Sequence, residues 1–192
     1  MDRLIVAITG TPGAGKTTLA KEFAGGIPNS KVIEINDIVN KYKLYSGKDK
    51  FGTKIVKLGA LTAAMKREIR KSIGMTIFVT GHLAPELKLQ YAVAIVKRSG
   101  LETLAGRMEE RRYSREKIRD NLIAEATDYC GGKISGMCRE TYEVESASDI
   151  RKLKRYIAAL AEGRSVKRPR RREINKLNDL LKMVKKGNLY GL

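Results

Sequence analysis

The stretch LIVAITGTPGAGKTT, residues 4–18, decides the fold. Its first part, Leu4 to Ile8, is an unbroken apolar run with β-branched residues. That is the pattern of a central parallel strand covered on both faces. Its second part, Gly10-x-x-x-x-Gly15-Lys16-Thr17, satisfies the phosphate-binding loop pattern in full. Each residue type there has a physical reason. Glycines let the backbone take positive φ and approach an anion with no Cβ in the way. Successive backbone N–H groups then converge on phosphate oxygens, and the helix that follows adds its partial positive charge. Lys16 supplies a mobile point charge for the β and γ phosphates, and the Thr17 hydroxyl can ligate Mg²⁺. The motif identifies a nucleotide site; it does not by itself name a reaction.

Working outward, apolar runs alternate with helical periodicity. Residues 16–25 read as a helix that Gly25-Gly26 ends. Lys31 to Ile35, Thr76 to Thr80 and Gln90 to Val96 read as further buried strands, and Glu140 to Glu145 as a fifth. Residues 37–52 are polar and read as irregular. From Thr53 to Ser72 the residues Ile55, Leu58, Leu61, Ala64, Met65 and Ile69 recur at helical spacing. Leu101 to Arg111 is helical, and Ser114 caps a second helix running to Tyr129. Ser146-x-x-Asp149 is a capping box for a helix that ends near Gly163. Beyond Pro169 a last amphipathic helix carries Ile174, Leu177, Leu180, Leu181 and Val184 on one side. Strands alternating with helices imply βαβ units and a parallel sheet.

The chain has 192 residues, 42% of them hydrophobic and 31% charged, which suits one globular unit with a real core. Its net charge is +18. From Arg164 onward there are ten Lys or Arg against two acids, a net +8 concentrated around the run KRPRRR at 167–172. A field of that sign attracts polyanions, nucleic acid first among large partners. A heat-adapted surface habit is the other reading. The apolar stripe of the last helix can also dock on the core, with its charges facing water. The two cysteines, Cys130 and Cys138, lack a C-x-x-C spacing, so zinc and redox motifs are absent and reduced thiols in a cytoplasmic protein are expected. No apolar stretch is long enough to span a membrane.

A phosphoryl-transfer enzyme of this size needs an acceptor pocket and a basic lid over the transferring group. RMEERRYSREKIRDN, residues 107–121, has that character: Arg111, Arg112, Arg115, Lys117 and Arg119 straddle a helix–turn–helix. Arginine suits the spread negative charge of such a transition state.

Four pieces, in order, now carry a resemblance. They are GTPGAGKTT at 10–18, DIVNKYKLYSG at 37–47, a strand followed by the single histidine His82, and EERRYSREKIRDN at 109–121. Together they resemble the adenylate kinase isoenzyme six family, also called coilin-interacting nuclear ATPases or ribosome-maturation adenylate kinases, in its archaeal form. The match spans about residues 3–162. The resemblance implies an α/β P-loop fold like that of nucleoside monophosphate (NMP) kinases: a five-stranded parallel sheet flanked by helices, with a small NMP-binding region and a short lid. It implies a kinase domain over 1–163, with the NMP region at 34–57 and the lid at 110–120, followed by the basic tail at 164–192. It implies ATP as donor, AMP or another NMP as acceptor, Mg²⁺ as cofactor, ATPase activity, and late maturation of the small ribosomal subunit through the ribosomal protein uS11. Contact with rRNA phosphates is expected, instead, of the basic tail, which lies beyond the match. The ATP-phosphate residues carried over are Gly13, Gly15, Lys16, Thr17 and Thr18. Arg111 is the lid arginine on ATP, and His82 orients the attacking water or touches phosphate. Asp37 and Lys41 fall on the substrate side. At two places the sequence departs from the family. Thr80 stands where an aspartate usually holds the metal or its water; a threonine can only hydrogen-bond a metal-bound water, so slower ATP hydrolysis, or reliance on Asp37, is expected. Asn40 stands where an arginine of the NMP region is usual. The alternatives are a nucleotide-gated assembly ATPase with little kinase activity, and a kinase for another small acceptor.

Overall fold

The computed structural model describes residues 3–185 and Gly187. At its centre lies a five-stranded, all-parallel sheet, in the order β2-β5-β1-β6-β7: Ser30–Glu34, Thr76–Thr80, Ile5–Thr9, Tyr91–Lys97 and Cys138–Val144. The sequence expectation of such a sheet holds, with strand ends moved by one or two residues.

Alternation along the strands splits the core into two layers. Ala7, Ile77, Val79 and Ala94 face one way and pack under α2 (Ile35–Lys41) and α3 (Leu58–Arg70). Val6, Ile8, Phe78 and Ile95 face the other way, under α1 (Lys16–Ala24) and α7 (Ala147–Ala161). The edge-to-face pair Phe23–Phe78, with centroids 5.9 Å apart, ties α1 to the sheet centre. The capping box at Ser146 and Asp149 is formed, and it starts α7 where the sequence placed it.

Three expectations need correction. Residues 37–52 are not irregular. They hold most of α2 and half of a hairpin, β3 (Tyr45–Lys48) paired antiparallel with β4 (Lys54–Val56). Asp49 builds the turn, its Oδ1 accepting from the Phe51 and Thr53 backbone N–H groups, while Gly52 takes φ 73°. The following helix therefore begins at Leu58 rather than Thr53, and Ile55 is an exposed strand residue. The helix capped by Ser114 does not reach Tyr129. It stops at Ala126 as α5 (Arg115–Ala126), and Asp128, with φ 50°, starts a separate α6 (Tyr129–Ile134).

The basic tail returns to the body. Residues 164–176 cross β7 and α7 without helix or strand. Then α8 (Leu177–Lys185) sets Met183, with Leu180 and Val184 beside it, against α4 (Leu101–Glu110) and α5. Leu177 and Leu181, expected on the docked stripe, are exposed, and Met183 takes the buried place. The tail's Lys186 and residues 188–192 lie outside the described residues.

Candidate active site

Parallel sheets place ligands at the carboxyl ends of their strands. Here the segments after β1, β2 and β5 converge there on a cleft of about 790 Å³. The glycine loop forms its floor. Gly10 has φ 136°, and a Cβ on it would meet the Lys97 carbonyl oxygen at 2.4 Å, so no other residue fits. Gly15 has φ 90° with no atom within 4 Å of a Cβ position, so it is required by the backbone conformation alone. It is also the N-cap of α1, and no side chain caps the N–H groups of that first turn. They are left for an anion.

Lys16 folds back over the loop, its Nζ donating to the Thr11 carbonyl at 2.9 Å. Burial pulls its ammonium down to about 8. A network beneath fixes the loop. Thr11 Oγ1 donates to Glu125 Oε2 at 2.7 Å, and Glu125 Oε1 accepts from Arg98 Nε at 3.1 Å and from the Ser99 N–H at 3.0 Å. Arg98 and Glu125 are almost fully buried, and Arg98 also pairs with Asp128 and with Glu143. Nothing in the polar run of α5 marks Glu125 as buried, so sequence reasoning missed it.

Of the residues carried over, Gly13, Gly15, Lys16, Thr17, Thr18, His82 and Arg111 all line this cleft. Arg111 ends α4, and the segment around it is the expected helix–turn–helix, with Ser114 Oγ accepting from the Lys117 N–H. Burial first, then the charges of Lys16 and Lys117, hold the His82 imidazole down to about 4, so it is neutral near pH 7.

Asp37 and Lys41 are not brought in. The buried face of α2 is Ile35, Ile38 and Val39. Positions 37 and 41, four apart, fall together on its exposed side. The wall is built instead from Glu34, Asn36, Asn40 and, across the hairpin, Lys54, whose Nζ donates to Asn40 Oδ1. Glu34 ends β2, and its Oε2 accepts from Thr17 Oγ1 at 3.1 Å. A carboxylate at the end of a parallel strand was the available signal for it.

These oxygens bear on Mg²⁺. Thr80 is buried on the cleft wall, and its Oγ1 has no hydrogen-bond partner. With the Thr17 hydroxyl and the Glu34 carboxylate it makes an all-oxygen set suited to a hard cation or its waters. No group of three or more His, Cys, Asp or Glu able to hold a metal exists among the described residues. The set therefore fits an ion that arrives with nucleotide phosphates, as Mg²⁺ does.

The start of α5 meets the hairpin at the cleft: Lys117 Nζ donates to Thr53 Oγ1 at 2.8 Å and lies 4.4 Å from the Tyr113 ring centre, and Lys50 pairs with Glu116. A smaller cavity of about 480 Å³ lies on the other side of the glycine loop, lined by Lys97, Arg107, Glu145 and Ile150. It shares Gly13, Gly15, Thr18 and Arg111 with the first.

Comparison with known proteins agrees with this geometry. The profile of the family described as "AAA domain" matches residues 6–128. A protein of Methanocaldococcus jannaschii named "Putative adenylate kinase" is 34% identical over 144 residues, covering 74% of this chain and 77% of its own. One of the same name from Methanococcus maripaludis is 32% identical over 133 residues, 66% of this chain and 70% of that one. Among solved structures, a sugar kinase from Janibacter aligns with TM-score 0.55 at 13% identity, covering 86% of this chain and 100% of that one. The shikimate kinase of Acinetobacter baumannii aligns with TM-score 0.51 at 17% identity, covering 85% and 96%. At such identities these two speak for the fold alone, and the fold is that of small P-loop kinases. The chain belongs to the AAA-domain family of P-loop proteins, in its adenylate kinase-like branch.

Proposed function

We propose that this protein transfers the terminal phosphoryl group of ATP to a nucleoside monophosphate, AMP in the first place, forming two ADP from ATP and AMP, with ATPase activity beside it. The observation that carries this reading is the pair of cavities meeting at the glycine loop and Arg111. A donor base fits the smaller one, its phosphates lie along Gly13 to Thr18, and an acceptor fits the larger one.

The residues divide the work. The loop N–H groups and Lys16 hold the donor phosphates. Arg111 lies at the junction of both cavities, where charge develops on the transferring group. Thr17, Glu34 and Thr80 would hold Mg²⁺ or its waters, and the ion would supply charge neutralisation between the phosphates. Neutral His82 hydrogen-bonds without adding charge. Asn36, Asn40 and Lys54 face the acceptor. The Lys117–Thr53 bridge ties the helix–turn–helix to the hairpin beside the cleft, and a cleft covered there would favour transfer over hydrolysis.

The test is ADP production from Mg-ATP with and without AMP. AMP should stimulate it, and Lys16→Ala or Arg111→Ala should lower kcat by roughly 10²- to 10³-fold. No stimulation by AMP sinks the kinase reading. Replacing AMP in the same assay by other monophosphates, and then by sugar acids or nucleosides, measures acceptor breadth. Breadth across monophosphates is our expectation, and with Asn40 in place of an arginine the acceptor phosphate should be held more weakly in all of them.

A second reading rests on Thr80, a hydroxyl where a carboxylate is usual, and on the +18 charge. In it the nucleotide state times binding to uS11 and rRNA during maturation of the small ribosomal subunit in the cytoplasm. The free thiols Cys130 and Cys138 agree with a reducing compartment. Equal affinity for uS11 in the ATP and ADP states would exclude a nucleotide-driven handover.

A further inference from the structure

The basic segment after α7 is not a loose arm. Four contacts pin it across β7 and the start of α7. Arg168 Nε pairs with Glu140 at 2.9 Å, and Arg172 Nη1 with Asp149 at 3.5 Å. The Ile174 N–H donates to Glu143 Oε2 at 3.1 Å, and buried Lys176 pairs with Glu145 at 2.7 Å. The floor beneath is equally fixed: the Tyr142 and Tyr156 hydroxyls both donate to Glu140 Oε2, at 2.6 and 2.8 Å. Between this strap and α7 runs a groove of about 840 Å³ that shares no lining residue with either cavity at the glycine loop.

The charges on the groove divide cleanly. Arg168 and Arg172 are consumed in anchoring. Lys152 and Arg155 on the α7 wall, and Lys167, Arg170 and Arg171 on the strap, form no ion pair among the described residues. Three acids also line the groove. Glu143 is taken up by Arg98 and the Ile174 N–H, Asp149 by the capping box and Arg172, and only Glu173 is uncommitted. Five cations thus face one another across a trough that already exists, so little ordering cost falls on binding.

The geometry points to this groove as a seat for a single nucleic-acid strand, gripped by its backbone phosphates. Arginine forks match phosphate bidentately, and the field of a +18 chain steers polyanions toward it. The tyrosine rings of the floor are buried, so they offer no stacking platform and no base readout. The inference deepens the rRNA contact proposed above and rests on the same charge argument, but it names the place and separates it from the kinase site.

The experiment uses the full chain, a short single-stranded RNA of mixed sequence, the same sequence in DNA, and polyglutamate as competitor. Affinity is measured between about 50 and 200 mM salt. RNA and DNA should bind equally, because phosphates alone are held. Lys152→Ala with Arg155→Ala, and separately Arg170→Ala with Arg171→Ala, should each flatten the log–log salt slope by about 1.4, two lost contacts on a single strand. ADP formation should be unchanged in both. Lys88→Ala with Arg139→Ala, which removes the same charge from exposed sites outside the groove, should leave the slope alone. Binding of RNA with an unchanged slope in both groove variants overturns the groove while leaving an RNA contact elsewhere. Loss of DNA binding relative to RNA overturns the phosphate-only grip. Competition by polyglutamate as strong as by DNA reassigns the groove to an acidic protein. No binding of either nucleic acid removes the rRNA reading as well.

Discussion

Lys16 offers the sharpest test of the site, because one residue ties stability and nucleotide binding to pH with opposite signs. Burial lowers its pKa from 10.5 to about 8 in the free protein, a displacement of about 3 kcal/mol. The unfolded chain keeps the higher value. Between pH 8 and 10.5 the unfolded state therefore binds more protons, and the free protein gains stability as pH rises through that window. Binding goes the other way. Triphosphate oxygens beside the ammonium favour its charged form and restore the pKa. Nucleotide binding should then take up about 0.1 proton at pH 7, about 0.5 at pH 8 and about 0.9 at pH 9. The affinity should fall about tenfold from pH 7 to pH 9. Calorimetry of a non-hydrolysable ATP analogue with Mg²⁺, in buffers of different ionisation enthalpy, reads the uptake directly. Lys16→Ala should abolish the pH 8 uptake, and Lys16→Arg should abolish it too, since guanidinium does not titrate there. Zero uptake at pH 8 in the unaltered protein, or uptake that survives in Lys16→Ala, would refute a buried loop lysine with a lowered pKa.

Other consequences follow from single contacts. With its pKa pulled down to about 4, His82 stays neutral over the working range, so the pH–rate profile of ADP formation should show no inflection near 6.5. Such an inflection, absent in His82→Gln, would show that the imidazole titrates in the cleft. Arg98→Met strands the buried Glu125 carboxylate and should cost about 3 kcal/mol in urea unfolding. A loss below about 1 kcal/mol would mean that the network under the loop is not the strut described here. Gly10→Ala should abolish nucleotide binding, because its Cβ would meet the Lys97 carbonyl. Near-normal affinity, measured by the same calorimetry, would show that the loop can be rebuilt.

The central sheet was legible because its signals are long and local. Leu4 to Ile8 is an unbroken apolar run and Ile77 to Val79 a shorter one between two β-branched threonines, and burial on both faces leaves no other role for them. The glycine loop was legible for a similar reason, since only backbone geometry explains Gly10 and Gly15 together. The hairpin at 45–56 was hidden. Its strands, YSGK and KIV, are only four and three residues long, too short to show alternation, and its one cue, Asp49 with Gly52, looks like any loop. The inward turn of Glu34 and outward turn of Asp37 depend on where α2 begins, and a shift of one position there rotates every side chain by about 100°. Glu125 was unreadable because its partner Arg98 lies 27 residues away, and only the approach of the end of α5 to the segment after β6 joins them.

These placements change what Thr80 means. By sequence, a threonine in that position looked like a missing metal ligand, with distant Asp37 as its substitute. In the folded protein the carboxylate beside the Thr17 hydroxyl is Glu34, so negative charge is present in the cleft after all. It approaches from β2 rather than from β5. Thr80 keeps a buried hydroxyl with no partner, and a buried hydroxyl costs free energy until something bonds to it. A metal-bound water would supply that bond without adding a second full charge beside Glu34. Two carboxylates facing each other would repel in the empty site and wait on the ion. One carboxylate and one hydroxyl keep the cleft ready for nucleotide at lower electrostatic strain. The threonine is thus compatible with phosphoryl transfer to an acceptor. Under the proposed function it would weaken the strong alignment of a lone water that efficient ATP hydrolysis needs.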